Sequence, residues 1–163
     1  KGTEQGNIEP GEHELIKKIF SFNDIKLKEI MTSTDKVKTL NSRLTLEQAV
    51  EEVAEQGYAR YPVVDEKKSQ IIGYITDHDI IKALIEKRGA EEIKTMVSPV
   101  FSLSEDTLID DAFRLVKKSG SHLYLVHEKN EKERIVGIVT LEDIIEEVLG
   151  EIEDEEDKKD RSS

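Results

Sequence analysis

Two threonine–aspartate pairs are the residues of this chain best placed to do chemistry. Thr140 and Asp143 lie in GIVTLEDIIEEV, and Thr76 and Asp79 lie in GYITDHDIIKAL. In each stretch the threonine ends an apolar, β-branched run and the aspartate falls three residues on, in the first turn of a predicted helix. Both side chains then face the carboxyl end of a strand, where α/β proteins bind ligands. A carboxylate there accepts hydrogen bonds from a vicinal diol, and the helix amino terminus favours an anion beside it. A nucleoside phosphate presents both groups. The same residue types also cap helices, so one such pair taken alone reads first as a cap, and it is the duplication of the whole pattern that favours a binding module.

The pairing occurs twice because the chain is duplicated. Gly73, Thr76 and Asp79 recur as Gly137, Thr140 and Asp143, each 64 residues on (137 − 73). RYPVVD, from Arg60, falls on HLYLVH, from His122, at an offset of 62; Ala49 falls on Ala112 at 63, and Met31 on Met96 at 65. The drift is placed in loops, which accept insertions. Each copy reads helix, strand, strand, helix. LTLEQAVEEVAEQG carries Leu46, Ala49, Val50 and Val53 at helical spacing and stops at Gly57. YPVVD and IIGYIT then read as strands, and the helix begun by Asp77 and Asp79 is expected to stop at Gly89. A unit this small has difficulty covering both faces of a short sheet, so two units packed sheet against sheet about a pseudo-twofold, with a central cleft, are expected.

Composition excludes several classes of function. With 24 Lys and Arg against 36 Asp and Glu, the net charge of −12 repels nucleic acid and anionic lipid. The chain has no cysteine, so no disulfide or thiolate chemistry, and no apolar run of membrane-spanning length, so it is expected to be soluble. The stretch GEIEDEEDKKDRSS, from Gly150, reads as a solvated tail. The chain opens on Lys1 in place of methionine, which suggests a piece of a longer protein.

Two copies of G-h-h-T-x-x-D, each preceded by an h-P-V-V-D-like strand and an M-T-like opening, resemble a tandem pair of cystathionine-β-synthase (CBS) domains, or Bateman module. The resemblance implies an α/β fold of two CBS domains, short sheets flanked by helices. The expected divisions are a juxtamembrane-type helix and linker over 1–24, CBS domains over 25–88 and 89–150, and an acidic tail over 151–163. A narrower resemblance, carried by EHELIKKIFSFNDIKLKEIMT, GYARYPV and GIVTLEDIIEEVLGEIEDEED, is to the cytosolic part of the CorC and CNNM group of hemolysin-like membrane proteins, linked to magnesium or cobalt efflux. It implies a transmembrane domain in the parent protein, a module at the cytoplasmic face of the plasma membrane, and a homodimer formed through the modules.

The resemblance also implies one preferred nucleotide site for ATP or an AMP-type adenine nucleotide, with Mg2+ carried on the phosphates and no direct protein ligand. Thr32 would contact the adenine side, Tyr58 cover the base, Arg60 meet phosphate, Ile138 touch the base, Thr140 face sugar or phosphate, and Asp143 hold the ribose. At the offset of 62, Tyr58 maps to Gly120 and Arg60 to His122. A second site at Thr76, Asp79 and His122 therefore lacks ring and guanidinium and is expected to be weaker. Ser33 stands where the family usually has proline, and His127 where it usually has aspartate.

A catalytic role is not supported. The histidines, His13, His78, His122 and His127, lack zinc-ligand spacing, and no G-x-x-x-x-G-K-[ST] loop is present. The expected function is a regulatory, non-enzymatic module. The competing readings are a protein-interaction platform without nucleotide and a soluble AMP-sensing CBS pair.

Overall fold

The computed structural model describes residues 24–67 and 69–150. The helix and turn expected before Asp24, the acidic tail beyond Gly150 and His13 lie outside the described residues. The elements, in chain order, are α1 (Leu27–Ile30), β1 (Thr32–Ser33), β2 (Leu40–Asn41), α2 (Leu46–Gln56), β3 (Arg60–Asp65), β4 (Gln70–Thr76), α3 (Asp77–Ile85), β5 (Phe101–Ser104), α4 (Ile109–Ser119), β6 (Leu123–Glu128) and β7 (Glu131–Thr140). A helix over 141–150, α5, follows. Among the described residues no helix is long and apolar enough to cross a membrane.

The chain folds into two α/β units. One is Asp35–Phe101; the other joins the described residues up to Thr34 to those from Ser102 onward. In the first unit β2, β3 and β4 form a sheet in that order, β2 parallel to β3 and β3 antiparallel to β4. In the second, β1, β7, β6 and β5 form a four-stranded sheet in that order.

Local chemistry explains the helices. Thr45 Oγ1 accepts the Gln48 N–H at 3.3 Å and Gln48 Oε1 accepts the Thr45 N–H at 3.0 Å, a capping box that opens α2. Gly57, at φ 73°, closes α2, and Gly120, at φ 71°, closes α4; both positions need the left-handed region that glycine enters freely. The helix α3 ends earlier than the sequence suggests. It stops at Ile85, and Lys87 takes the left-handed turn at φ 63°. The Lys87 N–H bonds the Leu84 carbonyl and the Arg88 N–H the Ala83 carbonyl, so the last carbonyls are satisfied two residues before Gly89.

Each repeat's opening segment packs in the unit built by the other repeat. The Leu27, Lys28 and Ile109 N–H groups bond Thr107, Glu105 and Ile25 carbonyls at 2.9, 3.0 and 2.9 Å; in the other unit Ile93, Lys94 and Leu46 bond Leu44, Ser42 and Glu91 at 2.8, 3.3 and 3.0 Å. The exchanged segments thus match at an offset of 66 (93 − 27), one more than the sequence alignment of the two methionines suggests, against 63 (107 − 44) for the residues they bind. Leu27 and Ile93, both fully buried, anchor them; burial of such a side chain contributes about 2 kcal/mol.

Beyond the anchor, the segment runs antiparallel to the last strand. Thr32 pairs with Ile138 and Ser33 with Gly137; in the other unit Ser98 and Tyr74 exchange backbone bonds of 2.8 and 3.0 Å. The repeated glycine makes room for this. A Cβ at Gly137 would lie 2.6 Å from Met31 Sδ and 2.7 Å from the Thr32 carbonyl oxygen. One at Gly73 would lie closer than 3.0 Å to both Val97 Cγ1 and the Ser98 carbonyl oxygen.

The second unit also ties its opening segment down by charge. Asp106, before α4, has Lys26, Lys28 and Lys129 ammonium groups at 3.7, 3.4 and 3.7 Å. Burial raises the Asp106 carboxyl pKa, but the bond from Lys28 and the three lysine charges outweigh it and hold the pKa below the usual carboxylate range.

Gly73→Ala is expected to lower unfolding stability by roughly 1–3 kcal/mol, because the added methyl meets backbone as well as side chain. Gly137→Ala also meets a backbone oxygen, but less closely, and the Met31 thioether beside it can move, so it is expected to cost less. Urea midpoints for both variants check this, and an unchanged midpoint for Gly73→Ala contradicts it. A depressed folded pKa stabilises above the unfolded value, near 3.8, and that contribution is lost as pH falls through the folded pKa. Asp106→Asn should therefore be less stable than the parent at neutral pH, and the gap should close in acid below pH 3.8. A gap independent of pH over that range would rule out this source of stability.

Candidate functional site

Four of the six residues expected at the preferred site belong to one unit. β7 alternates: Gly137 and Val139 are buried, Val139 in the helix-packed core, while Ile138 and Thr140 are half-buried on the opposite face. Thr32, exposed, is the Cα partner of Ile138 across the β1–β7 ladder. Thr140 ends β7 and Asp143 sits in the first turn of α5. The two clamp each other: Asp143 Oδ2 accepts the Thr140 N–H at 2.9 Å, and Thr140 Oγ1 accepts the Asp143 N–H at 3.1 Å. This reciprocal box fixes the carboxylate at the strand's carboxyl end. A carboxylate has about four acceptor positions, so capping leaves acceptor capacity for a sugar hydroxyl. The cap reading and the ligand reading thus describe the same geometry.

Tyr58 and Arg60 belong to the other unit. Tyr58 follows the glycine that ends α2; its N–H donates to the Tyr61 hydroxyl at 2.8 Å, and its ring meets the Tyr61 ring edge to face at 6.0 Å and 69°. With 54 % of its surface exposed, the ring is available for stacking. Arg60, half-buried, opens β3 opposite Thr76.

The residues of the expected weaker site divide in the same way. Thr76 Oγ1 accepts the Asp79 N–H at 3.0 Å. Asp79 borders a cleft of about 250 Å3 that Lys82, Glu86, Arg88, Met96 and Ser98 also line. Arg88 in that cleft is held by Glu91, Nε to Oε2 at 2.5 Å. That bond comes first among the causes that raise the guanidinium pKa and lower the Glu91 pKa. His122 lies in the other unit, exposed, with Nδ1 3.3 Å from Glu142 Oε1.

The structure corrects the strand register on which the asymmetry rested. Tyr61 and Tyr124 are both buried, and their hydroxyls reach the Val53 and Val116 carbonyl oxygens, each at 3.4 Å. Arg60 pairs with Thr76, and Leu123 with Thr140. The offset is therefore 63 (124 − 61), in place of 62. Arg60 corresponds to Leu123, Tyr58 to Ser121, and His122 to Ala59, so His122 is not the counterpart of Arg60. YPVV and LYLV are uniformly apolar, and a slip of one residue leaves them still matched; the phenol-to-helix bonds and the strand pairing distinguish the registers. The counterpart positions again carry neither ring nor cation. Tyr61, Lys82 and Arg88 were absent from the sequence-based site; the tyrosine repeated at the 63 offset was the available signal for the first.

Among the described residues no group of three or more His, Cys, Asp or Glu side chains could hold a metal ion.

A family model described as the CBS domain matches residues 27–86 and 90–150. The UPF0053 protein sll1254 of Synechocystis is 29 % identical over 157 residues, covering 96 % of this chain and 45 % of that protein. The UPF0053 protein YhdP of Bacillus subtilis is 32 % identical over 154 residues, covering 93 % of this chain and 34 % of that protein. The chain thus spans less than half the length of these curated relatives. Among solved structures, the CBS domain of a bacterial CNNM/CorC family Mg2+ transporter in complex with ATP aligns with a TM-score of 0.74 at 25 % identity, covering 86 % of this chain and 99 % of that one. With both repeats matched and the two glycine-dependent sheets in place, this chain belongs to the CBS-domain family as a tandem pair, similar to the CBS domains of CNNM/CorC transporters.

Proposed function

We propose that the chain is a regulatory module that binds Mg-ATP or a related adenine nucleotide within a membrane protein of magnesium or cobalt transport. The observation that carries this is the Thr140–Asp143 clamp beside the Thr32–Ile138 ladder, in a chain that aligns with a transporter domain solved with ATP.

In this reading Asp143 accepts the ribose hydroxyls, Thr140 lies by sugar or phosphate, and Ile138 and Thr32 meet the base. The resemblance to CBS pairs assigns the Tyr58 ring to adenine and the Arg60 guanidinium to phosphate. Mg2+ enters on the phosphates and offsets the repulsion expected from a chain of net charge −12. The site at Thr76 and Asp79 is weaker, because Ser121 and Leu123 stand where the preferred site has its ring and guanidinium. The module is not catalytic. It works as a homodimer at the cytoplasmic face of the membrane, where nucleotide shifts the balance between two dimer arrangements and so acts on the transmembrane domain.

Isothermal titration with millimolar ATP and Mg2+ tests the reading. Saturable heat is expected, weaker when Mg2+ is chelated. Asp143→Asn keeps an acceptor for the Thr140 N–H yet loses the charge, and should weaken binding roughly tenfold or more. Arg60→Ala should weaken ATP more than adenosine. Absence of heat would leave the chain as a protein-interaction platform, and Asp143→Asn binding like the parent would refute the site.

A further inference from the structure

We propose that the cleft beside α3 holds a small zwitterion, an α-amino acid, with its ammonium on Asp79 and its carboxylate on Lys82. The cleft lies wholly in the unit Asp35–Phe101, and this reading does not depend on nucleotide binding at Thr140 and Asp143.

Local structure builds the cleft. Asp79 and Lys82 lie one turn apart on α3, and Glu86 caps the helix end. Because Lys87 takes the left-handed conformation, the chain turns back at once, and the Arg88 N–H reaches the Ala83 carbonyl at 2.9 Å. That turn brings Arg88 into the lining. Its guanidinium is held there by Glu91, at 2.5 and 3.2 Å, with Glu86 at 3.8 Å. Met96 and Ser98 complete the lining, and Ser98 is fixed by its two backbone bonds with Tyr74.

Three polar groups of this lining have no partner among the described residues. In the second repeat Asp143 Oδ2 accepts the Thr140 N–H, but in the first only the Thr76 hydroxyl bond to the Asp79 N–H forms, so the Asp79 carboxylate accepts nothing. The Lys82 ammonium makes no ion pair, with Asp79 or any other carboxylate, and the Ser98 hydroxyl makes no hydrogen bond.

Charge and size select the occupant. The lining carries two carboxylates, Asp79 and Glu86, and two cations, Lys82 and Arg88, so it offers no surplus positive charge for a polyphosphate. Among the described residues it has no aromatic side chain on which a base could stack, and no group of three His, Cys, Asp or Glu to hold a metal ion. Its volume of about 250 Å3 lies below the roughly 300–1,000 Å3 of pockets that take drug-sized ligands. A small ligand of zero net charge fits these limits. Arg88 and Glu86 are already engaged, which leaves Asp79 and Lys82 as the opposite charges to be met. An α-amino acid carries both countercharges on one carbon, its carboxylate can also accept the Ser98 hydroxyl, and its side chain can lie on the Met96 thioether.

Amide NMR of the labelled chain tests this. Glycine, L-serine and L-leucine are titrated in turn to about 10 mM. At least one should move the Asp79, Arg88 and Ser98 amides along one saturating curve and leave Thr140 and Asp143 in place. Asp79→Asn and Lys82→Ala should each weaken that amino acid roughly tenfold or more, since each removes a charge-assisted contact. Neither side chain bonds within the fold, so the rest of the spectrum should match the parent's. Analogues of the same amino acid lacking the amine or the carboxylate should bind more weakly. No saturating shift with any of the three, equal binding by either analogue, or full affinity in both variants would overturn the proposal, as would movement of these amides by Mg-ATP alone. Lys82→Ala leaves the Thr140–Asp143 clamp untouched and should bind Mg-ATP with the parent's heat, so failure here is distinguishable from failure of the nucleotide reading.

Discussion

The fold depends on a place where no side chain fits. In the last strand of each sheet a glycine, Gly73 or Gly137, lies against the backbone of a segment that opens the opposite repeat. A Cβ there would collide with a carbonyl oxygen as well as a side chain, so the opening segment could not form its antiparallel bonds. Without that strand, the Thr32–Ile138 pair would be lost, and with it the approach of the opening residues to Thr140 and Asp143. The glycine of the repeated motif is thus a structural precondition for the chemistry suggested by its threonine and aspartate.

The exchange of opening segments has a consequence for folding. Neither repeat, cut as a contiguous stretch of sequence, contains all the strands and anchors of its unit. Leu27 completes the core beneath Val139 and Ile144, and Ile93 completes the one beneath Ile75 and Ile80. The two copies are therefore coupled through the chain path, and a change in either opening segment is felt in the unit of the later-numbered or earlier-numbered partner repeat.

Much of this was legible in the sequence, and the failures have physical causes. Gly57 and Gly120 were readable as helix stops because a left-handed C-cap strongly favours glycine. The α3 stop was not, because Lys87 takes that conformation and the Arg88 and Lys87 amides still satisfy the last carbonyls. The repeat was plain, but the strand register was not: apolar runs score alike when slipped by one, and the Tyr61 and Tyr124 hydroxyl bonds that fix the offset form only once strand and preceding helix are packed together. Thr140 and Asp143 were identified as a candidate site from their spacing, its duplication and the family resemblance; their reciprocal clamp needed coordinates. The exposure of Ile85 and Leu149 was likewise hidden, since apolar residues at helical spacing read as core until the side they face is known.

The central claim is the proposed binding of an adenine nucleotide at the Thr140–Asp143 clamp. Amide NMR of the labelled chain titrated with Mg-ATP tests it most directly. The account predicts that Thr140 and Asp143 shift along one saturation curve, before Thr76 and Asp79 respond. No shift at Thr140 and Asp143, or a first response at Asp79, would contradict it.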